Sequence, residues 1–427
     1  MVTLSSTEKP SSAGGTFAVL NSLKLDLRLA FRNIVRQRRR SLIAIAAIAF
    51  GVISLMLAAG YIEWSYWSIR EESTTNQIGH IQITKPGYHE DGLSDPFAFL
   101  MSDKPASLEQ LAALPQVKNI TPRLTFNGLI SHGESTISFI GEGIDPTTDP
   151  SSRNLLVIEG RLLASDDPNG VVLGAGLAAN LGVKTGDTIV LLSNAATGGI
   201  NAVEGKVRGL ISTSMKDFDD SILRVNIAMA RKLLRTEGAH LWVTTLRETE
   251  MTDAVMTDIK QGTWFKGLEV KPWSALADYY NKTVELFSRQ VSVVKVIIGT
   301  IIVLSISNTM TMSVMERTRE IGTAMALGVR RRRVLTLFLL EGSVLGLLAG
   351  IIGVTLGYSL AALISHIGIP MPPAPGMSRG YIAEIFITPG IAFDALLLAV
   401  FTTLAASVYP AWRASQLIIV DALRHNR

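Results

Sequence analysis

Clustered carboxylates are the side chains of this sequence whose types and spacing could do acid–base chemistry. Asp166 and Asp167 are adjacent, and Asp217 lies close to Asp219 and Asp220, so either group could pair a proton donor with an acceptor. Solvated loops are the commoner origin of such clusters, because short polar residues favour turns. We therefore expect loops at both places and no catalytic carboxylate.

Histidine and the familiar catalytic motifs give no further candidates. The sequence has no HExxH pair, no GxSxG nucleophile elbow, no GxxxxGK[ST] phosphate-binding loop and no cysteine. The six histidines show no metal-ligand spacing: His80, His89, His132, His240, His366 and His425. The sequence therefore predicts no catalytic residue, no metal site and no cofactor bound by this chain itself.

A short charged segment at residues 315–333 lies between two long apolar stretches and reads MERTREIGTAMALGVRRRR. Eight of its residues are charged, so it cannot itself cross a membrane. Glu316 and Glu320 are one helical turn apart, which would place both on one side of a short helix. Three further positions share one helix face: Ile321, Met325 and Gly328. Such a helix, held at a membrane surface, is suited to contact a partner. The alternative is a solvated connection between two spans, whose charges only keep it on one side of the membrane.

The composition of the chain favours a membrane protein. Its 427 residues are 48% hydrophobic, and the mean hydropathy is +0.32, which few soluble domains reach. The formal net charge of +4 is too small to indicate a nucleic-acid partner. Lipid is thus the first partner that the composition implies.

Four apolar stretches are long enough to cross the hydrocarbon core of a bilayer. The predicted spans are residues 41–62, 289–314, 334–365 and 389–410. We expect the last span to stop at Pro410, and the second to continue without a break from a stalk helix that begins near Ser274. Arginines cluster before the first span and between the second and third, so the positive-inside rule places both chain ends in the cytoplasm.

The segments between the spans are predicted to alternate between the two sides of the membrane. Residues 1–40 and 411–427 would be cytoplasmic, residues 366–388 a stiff outer loop, and residues 63–288 an exported α+β domain. A basic helix is expected before the first span, either lying in the membrane interface or serving as a plain basic flank. Its apolar stripe is Leu20, Leu23, Leu27, Phe31 and Ile34, with Lys24, Arg28, Arg32 and Arg36 beside it.

Two further patterns concern packing and contacts. Small residues in the third span recur at helical spacing, which lets helices approach closely, although glycine is common in membrane helices generally. They are Gly342, Gly346, Gly350, Gly353 and Gly357. Within the exported domain, residues 194–205 (NAATGGINAVEG) are predicted to be a flexible loop. This loop would contact a cargo or adaptor, or be a plain hairpin connection.

Four stretches carry a family pattern that extends over nearly the whole chain. They are LRLAFRNIVRQRRRSLIAIAAIAFG, then GHIQITKPGY, then VIEGRLLASDDPNGVVLGAGLAANLGVKTGDTIVL, and last ERTREIGTAMALGVRRRRVLTLFLLEGSVLGLLAGIIG with YPAWRASQLIIVDALRH at the tail. Together they resemble the FtsX-like permeases of ABC transporters. That class includes the MacB efflux pumps and the LolC/LolE lipoprotein-release proteins.

The resemblance implies a fold and a partner. The fold is an α-helical membrane protein with four transmembrane helices, an N-terminal amphipathic interfacial helix and a large α+β MacB-like core domain between helices 1 and 2. The partner is a separate ATPase subunit, which binds ATP and Mg²⁺ and takes the charged helix into a groove. The residues carried over to that contact are Glu316, Arg317, Arg319, Glu320, Ile321, Met325, Leu327 and Gly328. Family members often have arginine where Ala324 and Met325 stand, so this detail differs here.

The resemblance also implies an assembly and a task. Two permease copies, identical or paralogous, would bind two ATPase subunits in a bacterial inner membrane. Closure of the ATPases would be relayed by the stalk around residues 274–289 to the periplasmic domain, to release a lipoprotein cargo or perform a related export. One alternative is efflux with a periplasmic adaptor and an outer-membrane channel. Another alternative is a scaffold that activates a cell-wall hydrolase. The least favoured alternative is that the chain is itself a membrane-bound hydrolase, because its sequence shows no set of catalytic residues.

Overall fold

The computed structural model describes residues 26–92, 94–102, 104–149, 155–213, 216–373 and 380–419. Leu20, Leu23 and Lys24 of the expected basic helix, and the tail beyond residue 419, lie outside the described residues. The chain divides into two units with separate cores. The first unit consists of three segments: the chain up to Trp64, Glu285–Ile369, and the chain from Ala383 onward. The second unit consists of Ser65–Val284 and Pro370–Ile382.

Helices make up nearly all of the first unit and contribute to the second. They are α1 (residues 26–36), α2 (Arg38–Glu72), α3 (Tyr88–Asp91), α4 (Ser107–Ala112), α5 (Ala175–Leu181), α6 (Lys216–Asp219), α7 (Ile227–Leu234), α8 (Thr252–Gly262), α9 (Trp273–Leu276), α10 (Asp278–Glu316), α11 (Thr318–Ala326), α12 (Arg331–Ile367) and α13 (Pro389–Ser415). A π-helical turn at Ser73–Gln77 follows α2 directly, and 3₁₀ turns lie at Pro96–Phe99 and Thr249–Met251.

Four of the described helices, α2, α10, α12 and α13, are long and apolar enough to cross a membrane. Each of these helices extends past its predicted span at one or both ends. Hydropathy identifies only the apolar part of a helix, and the backbone hydrogen bonds of the helix continue into the polar residues beyond it. The expected stop at Pro410 is wrong, since α13 continues to Ser415. A proline removes only one backbone donor, and a packed helix tolerates that loss. The expected unbroken stalk is also interrupted, because Ala277 leaves helical geometry between α9 and α10.

Close helix approach in the first unit depends on the glycines of α12. A Cβ atom at Gly342 would overlap the Ser407 hydroxyl, and one at Gly346 would overlap Thr403, both on α13. Gly353 and Gly357, about two and three turns beyond Gly346, meet α2 instead. A Cβ at Gly353 would lie 2.8 Å from Val52, and one at Gly357 would lie 3.0 Å from Met56 Sδ. Gly350 faces α13 again, 2.7 Å from a Leu396 methyl. These glycines therefore set the distances between α12 and its neighbours.

Replacing Gly346 with leucine is expected to destabilise the helical unit. The added side chain would enter space held by Thr403, which is fully buried, and overpacking of this kind costs about 1–3 kcal/mol or more. The measurement is the thermal denaturation midpoint of the purified protein in mild detergent. Ala362→Leu, on the exposed side of the same helix, is the matched control and should leave the midpoint unchanged. Equal midpoints for the two variants would contradict this packing role.

A ten-stranded sheet organises the second unit. Its strands are β1 (Ile81–Thr84), β2 (Val117–His132), β3 (Ser135–Ile144), β4 (Leu156–Gly160), β5 (Gly170–Gly174), β6 (Thr188–Asn194), β7 (Ile200–Ser212), β8 (Ile222–Asn226), β9 (Leu241–Leu246) and β10 (Glu269–Pro272). A separate ribbon pairs β11 (Ile369–Met371) with β12 (Tyr381–Ala383).

The long strand β2 links two parts of this sheet. Its first half pairs with β9 in the order β10–β1–β9–β2, and α4 and α8 supply apolar residues to the core beside it. Its second half pairs with β3 and β6, and the order β2–β3–β8–β5–β7–β6 returns to β2, so six strands form a closed ring. The two parts of the sheet share strand β2. The amino-acid composition therefore does not change at a boundary between them.

The predicted flexible loop at residues 194–205 is wrong. Strand β6 runs to Asn194, β7 begins at Ile200, and these two residues face each other in the antiparallel register. The turn between them has Gly198 and Gly199 at φ of 88° and 78°, a conformation that glycine adopts without strain. The segment is therefore a β-hairpin with a short turn. This is the plain hairpin connection that the sequence offered as the alternative to a loop contacting a cargo or adaptor.

Candidate functional site

Two of the carboxylates with possible chemical roles have structural partners. Asp167 forms an ion pair with Arg208 on β7. Asp219 is buried and accepts hydrogen bonds from the Ser212 hydroxyl and the Thr213 backbone, each at 2.8 Å. These contacts account for both carboxylates as loop and strand anchors, and attention therefore turns to the charged segment between α10 and α12.

The short helix α11 is fixed to the helical unit by its apolar face. Ile321, Gly322 and Met325 are buried, and both large side chains belong to the same core as α2, α10, α12 and α13. Gly328 ends the helix at φ 96°, where its backbone N–H donates to the Met325 carbonyl. Ile321 and Met325 therefore hold α11 in place, and their share in any partner contact is indirect.

Two ion pairs join α11 and the end of α10 to the basic first helices. Arg40 donates two hydrogen bonds to the Glu316 carboxylate, at 2.8 and 2.7 Å. Arg36 donates to Glu320 at 2.9 Å. The Arg40 pair is bidentate, which gives an arginine–carboxylate contact its strongest geometry. The basic residues before the first span thus position the charged segment, a role that their sequence pattern did not indicate.

A more buried contact ties the same segment to α12. Arg317 lies 3.3 Å from the buried Glu341 carboxylate and 3.5 Å from Glu320. Its guanidinium group also lies 5.8 Å from the centre of the Phe338 ring, within the range of a cation–π contact. Glu341 is therefore paired about three turns into α12, and Arg317 is largely enclosed.

The remaining candidate residues form an exposed surface. Leu327 is 84% exposed, the largest exposure of any large apolar side chain among the described residues. Arg319, Thr323, Ala326 and Gly328 are exposed beside it. We call these five residues the contact face. An unpaired leucine flanked by a basic residue is suited to enter an apolar pocket on another protein.

A second arrangement, in the other unit, surrounds the end of the first long helix. Arg123 on β2 donates to the Gln77 carbonyl, and Arg224 on β8 donates to the Asn76 carbonyl at 3.0 Å. Carbonyl groups at a helix C-terminus lack helical partners and attract positive charge. Two buried arginines thus hold the π-helical turn that follows α2.

Carboxylates complete this arrangement, which we call the arginine clamp. Asp149 is buried and lies 2.9 Å from Arg123, while Glu142 lies 2.8 Å from Arg224 and 3.9 Å from Arg123. Burial opposes the charge on Arg123, but Asp149 and Glu142 raise the pKa of its guanidinium group above the usual value. Sequence reasoning missed the clamp, and the only signal was arginine at strand positions flanked by apolar residues.

Aromatic side chains join the ends of α2 and α10 in the same unit. Tyr66 on α2 packs edge-on against Tyr280 on α10, and its hydroxyl donates to the Val284 carbonyl at 3.2 Å. Trp273 also packs edge-on against Tyr280, and the Trp273 backbone N–H donates to the His80 carbonyl at 2.8 Å. The two helices are therefore connected both to each other and to β1.

His80 has a hydrogen-bonding environment that fits only the neutral ring. Its Nδ1 accepts from the Leu246 N–H, so Nε2 carries the proton and donates to the Thr249 hydroxyl, which donates in turn to Glu71. Burial, followed by the charge of Arg70, lowers the pKa of His80 from 6.5 to about 4. Burial likewise lowers the pKa of His240 from 6.5 to about 4.

The two lowered pKa values predict that the protein loses stability in mild acid. The unfolded chain takes up these protons near pH 6.5 and the folded chain only near pH 4, so stability falls as pH drops through that window. Each histidine accounts for up to about 3 kcal/mol. Urea denaturation followed by tryptophan fluorescence at pH 7.5, 6 and 5 measures this loss. His80→Gln together with His240→Gln should flatten the dependence, and an unchanged slope would contradict it.

Comparison with protein families finds matches to two parts of the chain. Residues 292–417 match the family described as FtsX-like permease C-terminal. Residues 41–261, just over half of the chain, match the MacB-like periplasmic core domain. The first of these ranges contains the contact face, and the second contains the arginine clamp.

Three curated relatives are similar to this chain over most of its length or over more than half of it. An ABC transporter permease of Methanocaldococcus jannaschii is 27% identical over 94% of this chain and 99% of its own length. The macrolide export ATP-binding/permease protein MacB of Hyphomonas neptunium is 26% identical over 93% of this chain but only 60% of its own length. The lipoprotein-releasing system protein LolC of Neisseria meningitidis is 24% identical over 60% of this chain and 65% of its own. The chain belongs to the family of membrane-spanning ABC transporter permeases that combine a MacB-like periplasmic core domain with an FtsX-like C-terminal permease domain.

Proposed function

We propose that this chain is the permease subunit of an ABC transporter whose ATP hydrolysis takes place in a separate ATPase subunit. The contact face on α11 would dock into that ATPase, with Leu327 as its apolar anchor. The observation that carries this proposal is an 84% exposed leucine at the end of a helix whose other face is locked into the core. The chain contains no phosphate-binding loop of its own, so ATP and Mg²⁺ would be held by the partner.

The contacts of α11 indicate how a push on the contact face would travel. Its ion pairs to Arg36 and Arg40, and the Arg317–Glu341 pair, tie α11 to α1, α2 and α12. A displacement of α11 would therefore move these helices together. Both α2 and α10 contribute residues to both units, and in the second unit the arginine clamp and the tyrosine contacts bind their ends. We propose that this path performs the periplasmic work without substrate passing through the helices.

The membrane placement is part of the same proposal. Both chain ends and the α11 segment would be cytoplasmic, and the sheet domain periplasmic, in a bacterial inner membrane. Helix α1 would lie in the membrane interface, because Leu27 and Phe31 remain exposed while Ile34 packs into the core. Arg28 and Arg32 are exposed on the same helix and would meet lipid phosphates.

For the cargo, we propose lipoprotein release or a related export, with adaptor-dependent efflux as the alternative. The names of the relatives support both tasks, since LolC proteins are called lipoprotein-releasing and MacB proteins macrolide exporters. The decisive experiment is purification of the tagged protein from its own host in mild detergent, followed by identification of the proteins that accompany it. An ATPase must be present under either reading. A second permease and a lipoprotein favour release, a periplasmic adaptor favours efflux, and the lack of any ATPase would overturn the proposal.

Single cysteines test the orientation, because the chain has none of its own. Thr197→Cys, in the β6–β7 turn, should react with a membrane-impermeant maleimide added to spheroplasts. Thr323→Cys, exposed on α11, should react only after the membrane is opened. The adjacent Gly322 is buried and would be a poor probe. Labelling in the opposite order would reverse the proposed topology.

A further inference from the structure

A groove beside the C-terminal ends of α10 and α13 has no role in the docking and relay described above. Its volume is about 530 Å³, within the range of roughly 300–1,000 Å³ that is usual for the binding sites of small molecules. Val314 and Met315 line it from α10, and Pro410, Trp412 and Leu417 line it from α13 and the residues that follow. We call this depression the C-terminal groove.

The polar groups of the C-terminal groove that remain free to bind a ligand lie where α13 ends. Thr311 and Thr318 also line the groove, but each hydroxyl group donates to the carbonyl four residues earlier in the chain. The other polar side chains of the lining are Arg413 and Gln416, which are three residues apart and therefore lie on one side of the helix end. The groove is thus apolar over most of its lining and cationic at one place.

Two arginines supply this positive charge, and no carboxylate of the described residues neutralises it. Arg413 is exposed and forms no ion pair within the part of the chain that the structure describes. Arg331, at the start of α12, donates to the Gln416 side-chain oxygen at 3.2 Å and likewise has no carboxylate partner there. Arg40 and Arg317 of the same unit, by contrast, are paired with glutamates. Two unneutralised guanidinium groups beside one neutral amide are suited to bind a phosphate.

The combination of an apolar lining with a cationic end distinguishes a lipid from a soluble phosphate. A soluble phosphate ester would leave the apolar lining in contact with water, whereas an acyl chain covers it. Trp412 is 54% exposed, and tryptophan is enriched at the level of the lipid headgroups. In the proposed orientation this end of the groove lies at the cytoplasmic surface of the membrane, where anionic lipids attract basic residues. A zwitterionic lipid would add a cation of its own beside the arginines.

We propose that the C-terminal groove binds one anionic phospholipid of the cytoplasmic leaflet, with its phosphate held by Arg413 and Arg331 and an acyl chain packed against Met315 and Trp412. The inference rests on the membrane placement in the proposed function and adds a ligand and its site. Thr318 lines the groove and is the first residue of α11. The bound lipid would therefore contact the segment that carries the contact face and restrain its movement.

Lipids with brominated acyl chains test this site on the purified protein in mild detergent, because bromine quenches the fluorescence of a tryptophan that it contacts. Brominated phosphatidylglycerol should quench more than brominated phosphatidylcholine, and Trp412→Phe should remove the excess. Arg413→Gln should raise the lipid concentration for half of the excess quenching about tenfold, the value of one hydrogen bond to a charged group. Arg39→Gln removes the same charge from an exposed arginine outside the groove and should leave it unchanged. Excess inorganic phosphate, which has no acyl chain, should not displace the lipid.

Any of four results would overturn the inference. They are equal quenching by the two headgroups, excess quenching that survives in Trp412→Phe, unchanged binding by Arg413→Gln, and displacement of the lipid by inorganic phosphate. A photo-crosslinking amino acid at Ile418, which also lines the groove, should capture lipid in native membranes. Capture of a protein there in place of lipid would equally reject the site. Association with the ATPase is read separately by co-purification, so a chain that retains its ATPase but fails these tests leaves the proposed function standing.

Discussion

Leu327→Asp is expected to abolish detectable association between this chain and its ATPase while leaving the chain folded and in the membrane. The side chain is 84% exposed, so its replacement removes little packing within the chain. In protein interfaces an apolar anchor that enters a pocket contributes about 2 kcal/mol or more, which corresponds to about a 30-fold loss of affinity. A carboxylate in that pocket adds a desolvation cost. Co-purification of the ATPase with the tagged chain measures the effect.

Matched variants separate this effect from general disturbance. Leu156→Asp makes the same change at an exposed leucine of the sheet domain and should retain the ATPase. Leu327→Met keeps the apolar anchor and should do so as well. Reversing Glu316 and Glu320 would be a poorer test, because both carboxylates are paired with arginines of the same chain. Normal association of Leu327→Asp would show that the contact face is not the docking surface.

Asp149→Ala is expected to destabilise the sheet domain by about 3–5 kcal/mol, the cost of leaving a buried charge without its partner. Arg123 would retain only Glu142, at 3.9 Å, and the Gln77 carbonyl. We expect the folded domain to loosen first at the π-helical turn, where the arginine clamp holds the end of α2. Urea denaturation of the purified protein at pH 7.5, followed by tryptophan fluorescence, measures the change.

Asp166→Ala is the control for this prediction. Asp166 is an exposed aspartate of the same domain, and its removal should change the free energy of unfolding by less than about 0.5 kcal/mol. If the clamp also transmits force, Asp149→Ala should impair transport at temperatures where the protein is still folded. A denaturation curve that coincides with the wild type would show that Arg123 and Asp149 do not stabilise the domain.

Local patterns predicted the elements of this fold well. Apolar length identified the four long helices, because this signal arises within one segment of the chain. The predicted ends of the long helices were less accurate than their positions. The predicted second span of 289–314 lies inside a helix of 39 residues, Asp278–Glu316, since polar residues continue a helix that hydropathy no longer marks.

Contacts between distant segments could not be predicted from local patterns. The spacing of Ile321 and Met325 correctly suggested one helix face, but Gly328, expected on the same face, lies beyond the end of α11 and is exposed. Whether the buried face meets a partner or the chain's own core depends on α2, α10 and α12. The arginine clamp joins β2, β8 and the end of α2, segments that are far apart in the sequence. An arginine inside a strand indicates a functional or structural exception, but only the tertiary structure shows which carboxylates accompany it.

The most direct test of the central claim is a photo-crosslinking amino acid placed at position 327 in living cells, with mass spectrometry of the product. The account predicts that an ABC ATPase subunit is captured from position 327, and that the same probe at Leu156 on the sheet domain captures none. Capture of no ATPase at position 327, or capture of a periplasmic protein there, would contradict both the docking of the contact face and the proposed orientation.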